Sequence, residues 1–212
     1  MNKKLIGFKI NFIKNIGEMS DEKAQMFTKE FAKELPGKNN TPLGLLLTKG
    51  VDNTTVKSLF ITPTQITYSQ DGTGAICNNT YEIKNFFKRI CDKLFLNYKC
   101  QATCSFAYII DCDDIKKTSE NILKMEYKDE NLISGVGIKL LLNSSKLVGE
   151  FRYEPYISDN KYFFTCLDCQ LVGANDLNEV LKESEVVLND IFEDLITRIY
   201  HKISPVGEAK HE

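Results

Sequence analysis

Cys166 and Cys169 are separated by two residues, the spacing at which two thiolates can share a zinc ion. The segment around them, 161–172, reads as a strand, and strand residues three apart point to opposite faces. No Gly or Pro lies between Phe163 and Val172 to make the knuckle that would turn both thiolates to one ion. Cys100, Cys104 and Cys112 share a face with Phe106, Tyr108 and Ile110. That is the setting of small buried hydrophobes, so these thiols are expected to be buried, reduced and metal-free. No metal and no cofactor is expected.

The carboxylates offer a second chemistry. Asp111, Asp113 and Asp114 cluster where a strand ends, and Asp168 lies within a strand among apolar neighbours. Carboxylates at strand ends can hold Mg²⁺ for phosphoryl transfer. The plainer roles are a helix cap for Asp113 or Asp114 and a solvated position for Asp111. Asp168 resists that reduction, because carboxylates are seldom fully buried unless paired. Asp111, Asp113 and Asp168 therefore stand as the alternative acidic site.

Nucleophilic catalysis finds little to work with. The two histidines, His201 and His211, fall at the end of the last helix and in the tail, away from any expected core cleft. Gly-x-Ser-x-Gly, Walker and Gly-x-Gly-x-x-Gly patterns are all lacking. Gly135 and Gly137 open a strand, where no helix N-terminus would meet a phosphate.

These residues must be positioned by elements legible in the hydrophobic pattern. Ile6, Phe8, Ile10 and Phe12 alternate with Lys9 and Asn11, a first strand. Ser20 or Asp21 caps a helix carrying Ala24, Phe27, Phe31 and Leu35, which Pro36 and Gly37 stop. Residues 37–56, rich in Gly, Asn and Thr, read as a loop holding at most a short strand over 43–47. A hairpin follows, with arms at 59–61 and 65–68. Thr80 is expected to cap an amphipathic helix whose core stripe runs through Ile83, Phe86, Phe87, Ile90, Cys91, Leu94, Phe95 and Tyr98.

The best strand spans 100–112. A short helix over 114–125 follows, then a polar turn at 128–130. Strands over 136–142, 147–154 and 161–172 form a meander. A long helix over 176–203 closes the chain, with Asp176 and Glu179 as its capping pair.

Directly joined hairpins with helices between strand groups predict α+β architecture. The expected fold is a mostly antiparallel sheet of six to seven strands packed by three to four helices. The chain is expected to form a single domain over 1–204, with substructure at 1–99 and 100–204, and a flexible tail over 205–212. The hairpin-then-helix and meander-then-helix order is a faint internal echo without a residue-level repeat.

The 212 residues are 42% hydrophobic and 26% charged, which is globular usage and excludes disorder for the chain as a whole. The net charge of −2 supplies no basic excess for nucleic acid. No apolar run reaches the ~18 residues of a membrane span. Seven cysteines, an odd number in a chain this long, suit reduced thiols and a cytoplasmic location. Charge is unevenly spread. Lys84, Lys88 and Lys93 make one helix basic, whereas Glu183, Asp190 and Asp194 belong to a strongly acidic terminal helix. The two faces are complementary and form the candidate interaction surface.

The segments 66–69, 135–139 and 166–169, the helix from Tyr81, and Leu177, Glu179 and 189–192 resemble a sporadically distributed family of bacterial cytosolic proteins without an assigned activity. The resemblance covers residues 57–203 and implies no reaction and no site residues. Patchy occurrence implies an accessory system, such as phage defence or toxin control, in which partner proteins matter.

The reading that follows is a non-enzymatic interaction or adaptor protein that binds a protein partner or itself. The alternatives are a binder of a small hydrophobic ligand between the sheet and the last helix, and a metal-dependent phosphoester enzyme. A filled helix–sheet interface favours the adaptor, a hollow one the ligand binder, and a polar cleft holding Asp168 the enzyme.

Overall fold

The computed structural model describes residues 1–74, 76, 79–124, 135–159 and 161–203. Its strands are β1 (Lys3–Ile13), β2 (Gly37–Thr41), β3 (Gly44–Gly50), β4 (Thr55–Ile61), β5 (Gln65–Gly72), β6 (Gln101–Asp111), β7 (Ile138–Asn143), β8 (Leu147–Pro155) and β9 (Tyr162–Leu171). The helices are α1 (Asp21–Phe31), α2 (Thr80–Lys93), α3 (Ile115–Leu123), α4 (Leu177–Val186) and α5 (Glu193–Ile203). A π turn, Val187–Phe192, joins α4 to α5 as one long C-terminal helix. The expected turn at 128–130 and tail over 205–212 lie outside the described residues.

The architecture is α+β, with one antiparallel sheet in the order β2-β3-β4-β5-β1-β6-β9-β8-β7. The described residues thus form nine strands rather than six to seven. The two extra strands, β2 and β3, come from the segment read as a loop. Its Gly and Asn residues have weak strand propensity, but β3 buries Leu45 and Leu47 and pairs with β4, and β2 is an edge strand that needs only one partner and tolerates polar side chains. Gly44 makes the tight return. Its φ is +154°, and a Cβ there would lie 2.2 Å from the Ile61 carbonyl oxygen.

The sheet carries a two-fold pattern. The first half runs strand, helix, four strands, helix; the second runs strand, helix, three strands, helix. In each half the first strand lies at the centre, the last strand lies beside it, and earlier strands follow outward. β1 and β6 join the halves antiparallel, so the sheet is continuous across residues 99 and 100. The echo in the sequence is therefore a repeat of topology.

One sheet face is covered by helices. Phe8, Ile10 and Phe12 of β1, Ala102, Cys104 and Phe106 of β6, and Leu167 and Cys169 of β9 are all buried. The Phe12 and Phe87 rings lie 4.5 Å apart, and Phe86 meets both Phe31 and Tyr68. Arg89 ties α2 to α1. It donates to the carboxylates of Glu30 at 2.8 Å and Glu34 at 2.7 Å and lies over the Phe31 ring. That hydrogen bond holds the Glu30 carboxyl below its usual range.

Caps fix the helix starts. Ser20 Oγ accepts from Lys23 N–H, and Asp176 Oδ1 accepts from Asn178 and Glu179 N–H. Glu179 returns its carboxylate to Asn175 N–H at 3.0 Å. At α2 the cap is Asn79 rather than Thr80, with Asn79 Oδ1 accepting from Glu82 N–H at 3.1 Å. Asn79→Ala is accordingly expected to cost ~1 kcal/mol in urea denaturation, and Thr80→Ala much less. Equal costs for the two would contradict the assignment.

The expected α2 stripe ends early. The helix stops at Lys93, leaving Phe95 97% exposed and Tyr98 38% exposed. In the C-terminal helix, the π turn inserts a residue and shifts the buried stripe to Phe192 and Ile196, while Ile191 and Leu195 are only half-buried.

Candidate functional site

The other sheet face is not covered by any described helix. A cross-strand row on it runs Thr48, Ser58, Ser69, Lys9, Ser105, Asp168 and Glu150. Next to it run Phe60, Thr67, Asn11, Thr103 and Gln170. Period-two alternation places these polar side chains on one face while their chain neighbours fill the core.

The polar groups satisfy one another. Asn11 Nδ2 donates to Gln65 Oε1 at 3.2 Å, and Thr67 Oγ1 donates to Asn11 Oδ1 at 2.9 Å. The Ser58 and Ser69 hydroxyls are 2.8 Å apart, and Ser69 Oγ donates to Asp71 at 2.9 Å. A shallow depression of about 240 Å³ sits among Lys9, Thr103, Ser105, Val148, Asp168 and Gln170. At one end of the face, Phe164 stacks on Tyr156, with Ile109 paired opposite Phe164.

Asp168 belongs to this face, not to a buried cleft. Its neighbours Leu167 and Cys169 look apolar because they point to the helices, while its own side chain is half exposed. Arg152 Nη2 donates to Asp168 Oδ2 at 3.3 Å, and the same guanidinium lies near Glu150 and Glu154. Lys139 pairs with Glu150 at 2.6 Å. Asp168 is thus one member of a solvent-facing ion-pair network.

The acidic candidates are not brought together. Ser105 is the register partner of Asp168, and Asp111 lies six residues further along β6, about 20 Å away. Asp111 accepts from Asn2 Nδ2 at 2.7 Å. Asp114 caps α3 by accepting from Lys117 N–H, and Asp113 is exposed beside it. Among the described residues, no three His, Cys, Asp or Glu side chains are grouped to hold a metal ion. His201 is exposed against Tyr200, and His211 lies outside the described residues.

Cys166 and Cys169 point to opposite faces. Cys166 pairs in register with Ala107 and Arg152 on the uncovered side, and Cys169 with Cys104 and Gly149 under the helices. Burial pushes the thiols up, to about 12 for Cys100 and Cys169 and to about 11 for Cys91 and Cys166. Contrary to the alternation pattern, Cys112 is half-buried rather than buried, because it lies beyond the end of β6 and against Thr118.

The charged helix faces are partly spent inside the chain. Lys93 pairs with Glu30 at 3.1 Å, Lys88 lies over the Tyr98 ring, and Asp194 pairs with Arg198. Lys84 lines a groove between α2 and α4 together with Lys182 and Glu185. Asp190 is exposed, and Glu183 is half-buried. The sequence reading missed the cluster in which Glu193 accepts from Tyr108 Oη at 2.8 Å and pairs with Lys3. Its members lie on three separate elements, so no local spacing announces it.

The space between the sheet and the last helix is filled. The Phe192 ring lies 6.2 Å from Phe106, 5.5 Å from Tyr108 and 5.9 Å from Phe151. No helix among the described residues is long and apolar enough to cross a membrane. No known family model and no curated protein matches the chain.

Proposed function

We propose that the chain is a non-enzymatic interaction protein whose recognition surface is the uncovered face of its sheet. The observation that carries this reading is the one-sided layering. Helices fill one face to the core, and the other presents a broad, internally hydrogen-bonded polar surface. A second polypeptide is the partner that fits. Lys9, Lys139 and Arg152 are interspersed with Asp71, Asp168, Glu150 and Glu154, so neither a polyanion nor a lipid surface finds a uniform field. Aromatic residues and an arginine within a polar surround match the anatomy of transient protein interfaces. The filled helix–sheet space supports this reading over the ligand binder, and the scattered carboxylates support it over the phosphoester enzyme.

Site-specific photo-crosslinking in the native cell tests the reading. A crosslinker in place of Ser105 is expected to trap a polypeptide, and one in place of the exposed helix residue Asp190 is not. Exchanging the exposed pair Lys9→Glu and Gln170→Arg should abolish the Ser105 crosslink and leave thermal stability unchanged. Crosslinking confined to Asp190 would refute the sheet face as the surface and restore the acidic helix.

A further inference from the structure

Phe95 is anomalous twice. It adopts φ +53°, in the left-handed region where a Cβ is penalised, and its side chain is almost wholly in water. The position explains the backbone. Leu96 N–H donates to the Cys91 carbonyl at 2.8 Å and Phe95 N–H to the Asp92 carbonyl at 3.2 Å, the two bonds of a Schellman motif closing α2. The left-handed residue of that motif is ordinarily Gly, sometimes Asn. A phenylalanine there gives up stability in the backbone and exposes an aromatic ring.

The surroundings of the ring are basic. Lys14 Nζ is anchored to Asn97 Oδ1 and to the Lys99 carbonyl, Lys88 lies over Tyr98, and Lys99 is exposed. Asp92 is bonded to the Tyr98 hydroxyl, and Asp176, bridged to Lys99 through the backbone, spends its carboxylate on the first turn of α4. The knob therefore asks for a hole with apolar walls and carboxylates among its polar lining.

Such a hole exists on the same molecule. A cavity of about 220 Å³ opens at the start of α1, with apolar walls from Pro42, Leu43 and Pro63 and polar ones from Glu18, Asp21 and Thr41. Lys23, the cation beside it, is turned under the rim to the Ile16 and Glu18 carbonyls. A cavity of ~150 Å³ suffices to hold a benzene ring. We propose that the chain self-associates by a knob-in-hole contact, Phe95 of one copy entering the cavity at the start of α1 of a second copy. Lysines 14, 88 and 99 then face Glu18 and Asp21. Each copy carries one knob and one hole, so the contact propagates head to tail.

Sedimentation velocity over a concentration series tests this independently of the sheet-face reading. The parent is expected to assemble beyond a dimer, and the assembly should weaken as salt rises. Phe95→Gly should weaken it ~30-fold, the scale of a lost aromatic anchor, while melting at a higher temperature than the parent. The higher melting point excludes misfolding as the cause. Leu43→Lys, at an exposed rim position, should also be monomeric.

Mixing the two variants is the decisive step. The intact hole of Phe95→Gly and the intact knob of Leu43→Lys should give a one-to-one dimer and nothing larger. A monomeric parent, a Phe95→Gly variant that assembles like the parent, or a mixture that stays monomeric would each overturn the proposal. So would a monomeric parent that retards a single-stranded oligonucleotide through Phe95, which would assign the knob to nucleic acid.

Discussion

Phe87→Ala is expected to lower the stability of the fold by about 3–5 kcal/mol, the range for truncating a core aromatic. The side chain is 1% exposed and its ring packs on Phe12 of the central strand β1. The vacated space cannot close easily. Phe12 is held in register between β5 and β6, and α2 is clamped to α1 through Arg89. Most of the transfer and cavity terms should therefore appear in full. Chemical denaturation measures it, with the midpoint falling and the slope preserved. An unchanged midpoint would mean that α2 does not dock on the sheet through this face.

Alkali should destabilise the protein steeply, and its buried thiols should be silent until it unfolds. Burial raises Cys100 and Cys169 from 9.0 to about 12. Burial also raises Cys104 well above its ordinary value, and it raises the Tyr153 hydroxyl. The folded state thus keeps its protons where the unfolded chain loses them. Below pH 9 both states are protonated and the stability from neutral thiols is complete. It is lost as pH climbs from 9 toward 12. For Cys100 alone the loss approaches about 4 kcal/mol at the alkaline limit.

The same shift leaves about a thousandfold fewer thiolates at pH 8 than an ordinary thiol would have. Native protein should therefore react slowly with a thiol reagent and rapidly once denaturant is added. Among the described cysteines, Cys112, half-buried, should be the first to react. Fast modification of Cys100 or Cys104 in the native state, or a denaturation midpoint flat from pH 8 to 11, would contradict this burial.

The cysteines show how far local pattern reaches. Period-two alternation alone places Cys166 and Cys169 on opposite faces, and the register with β6 and β8 agrees. Helix starts at Ser20 and Asp176 are equally local, because a cap needs only a side chain and an N–H two or three residues on. The strands with apolar alternation, β1, β6, β8 and β9, announce themselves for the same reason.

Asp168 marks the limit. Alternation assigns it to a face but does not say whether that face meets helices or water, and the answer changes it from a buried puzzle to an exposed ion-pair partner. Phe95 fails in the other direction. Its spacing fits the α2 stripe, but the helix ends at Lys93 and the chain turns left-handed.

The sequence by itself determined the α+β class, the core faces of the central strands and of α2, and the opposite-face placement of Cys166 and Cys169, since these follow from periodicity and capping over a few residues. Tertiary structure decided the rest. β2 and β3 exist because pairing outward from β4 supplies their backbone hydrogen bonds and buries Leu45 and Leu47 of β3. The π turn exists because the last helix must keep Phe192 and Ile196 on the sheet beyond Val187. The uncovered face, the scattering of Asp111, Asp113 and Asp168, and the knob and hole at Phe95 and Leu43 depend on strand order and helix docking. Those are non-local choices, settled by which apolar surfaces bury together rather than by any spacing along the chain.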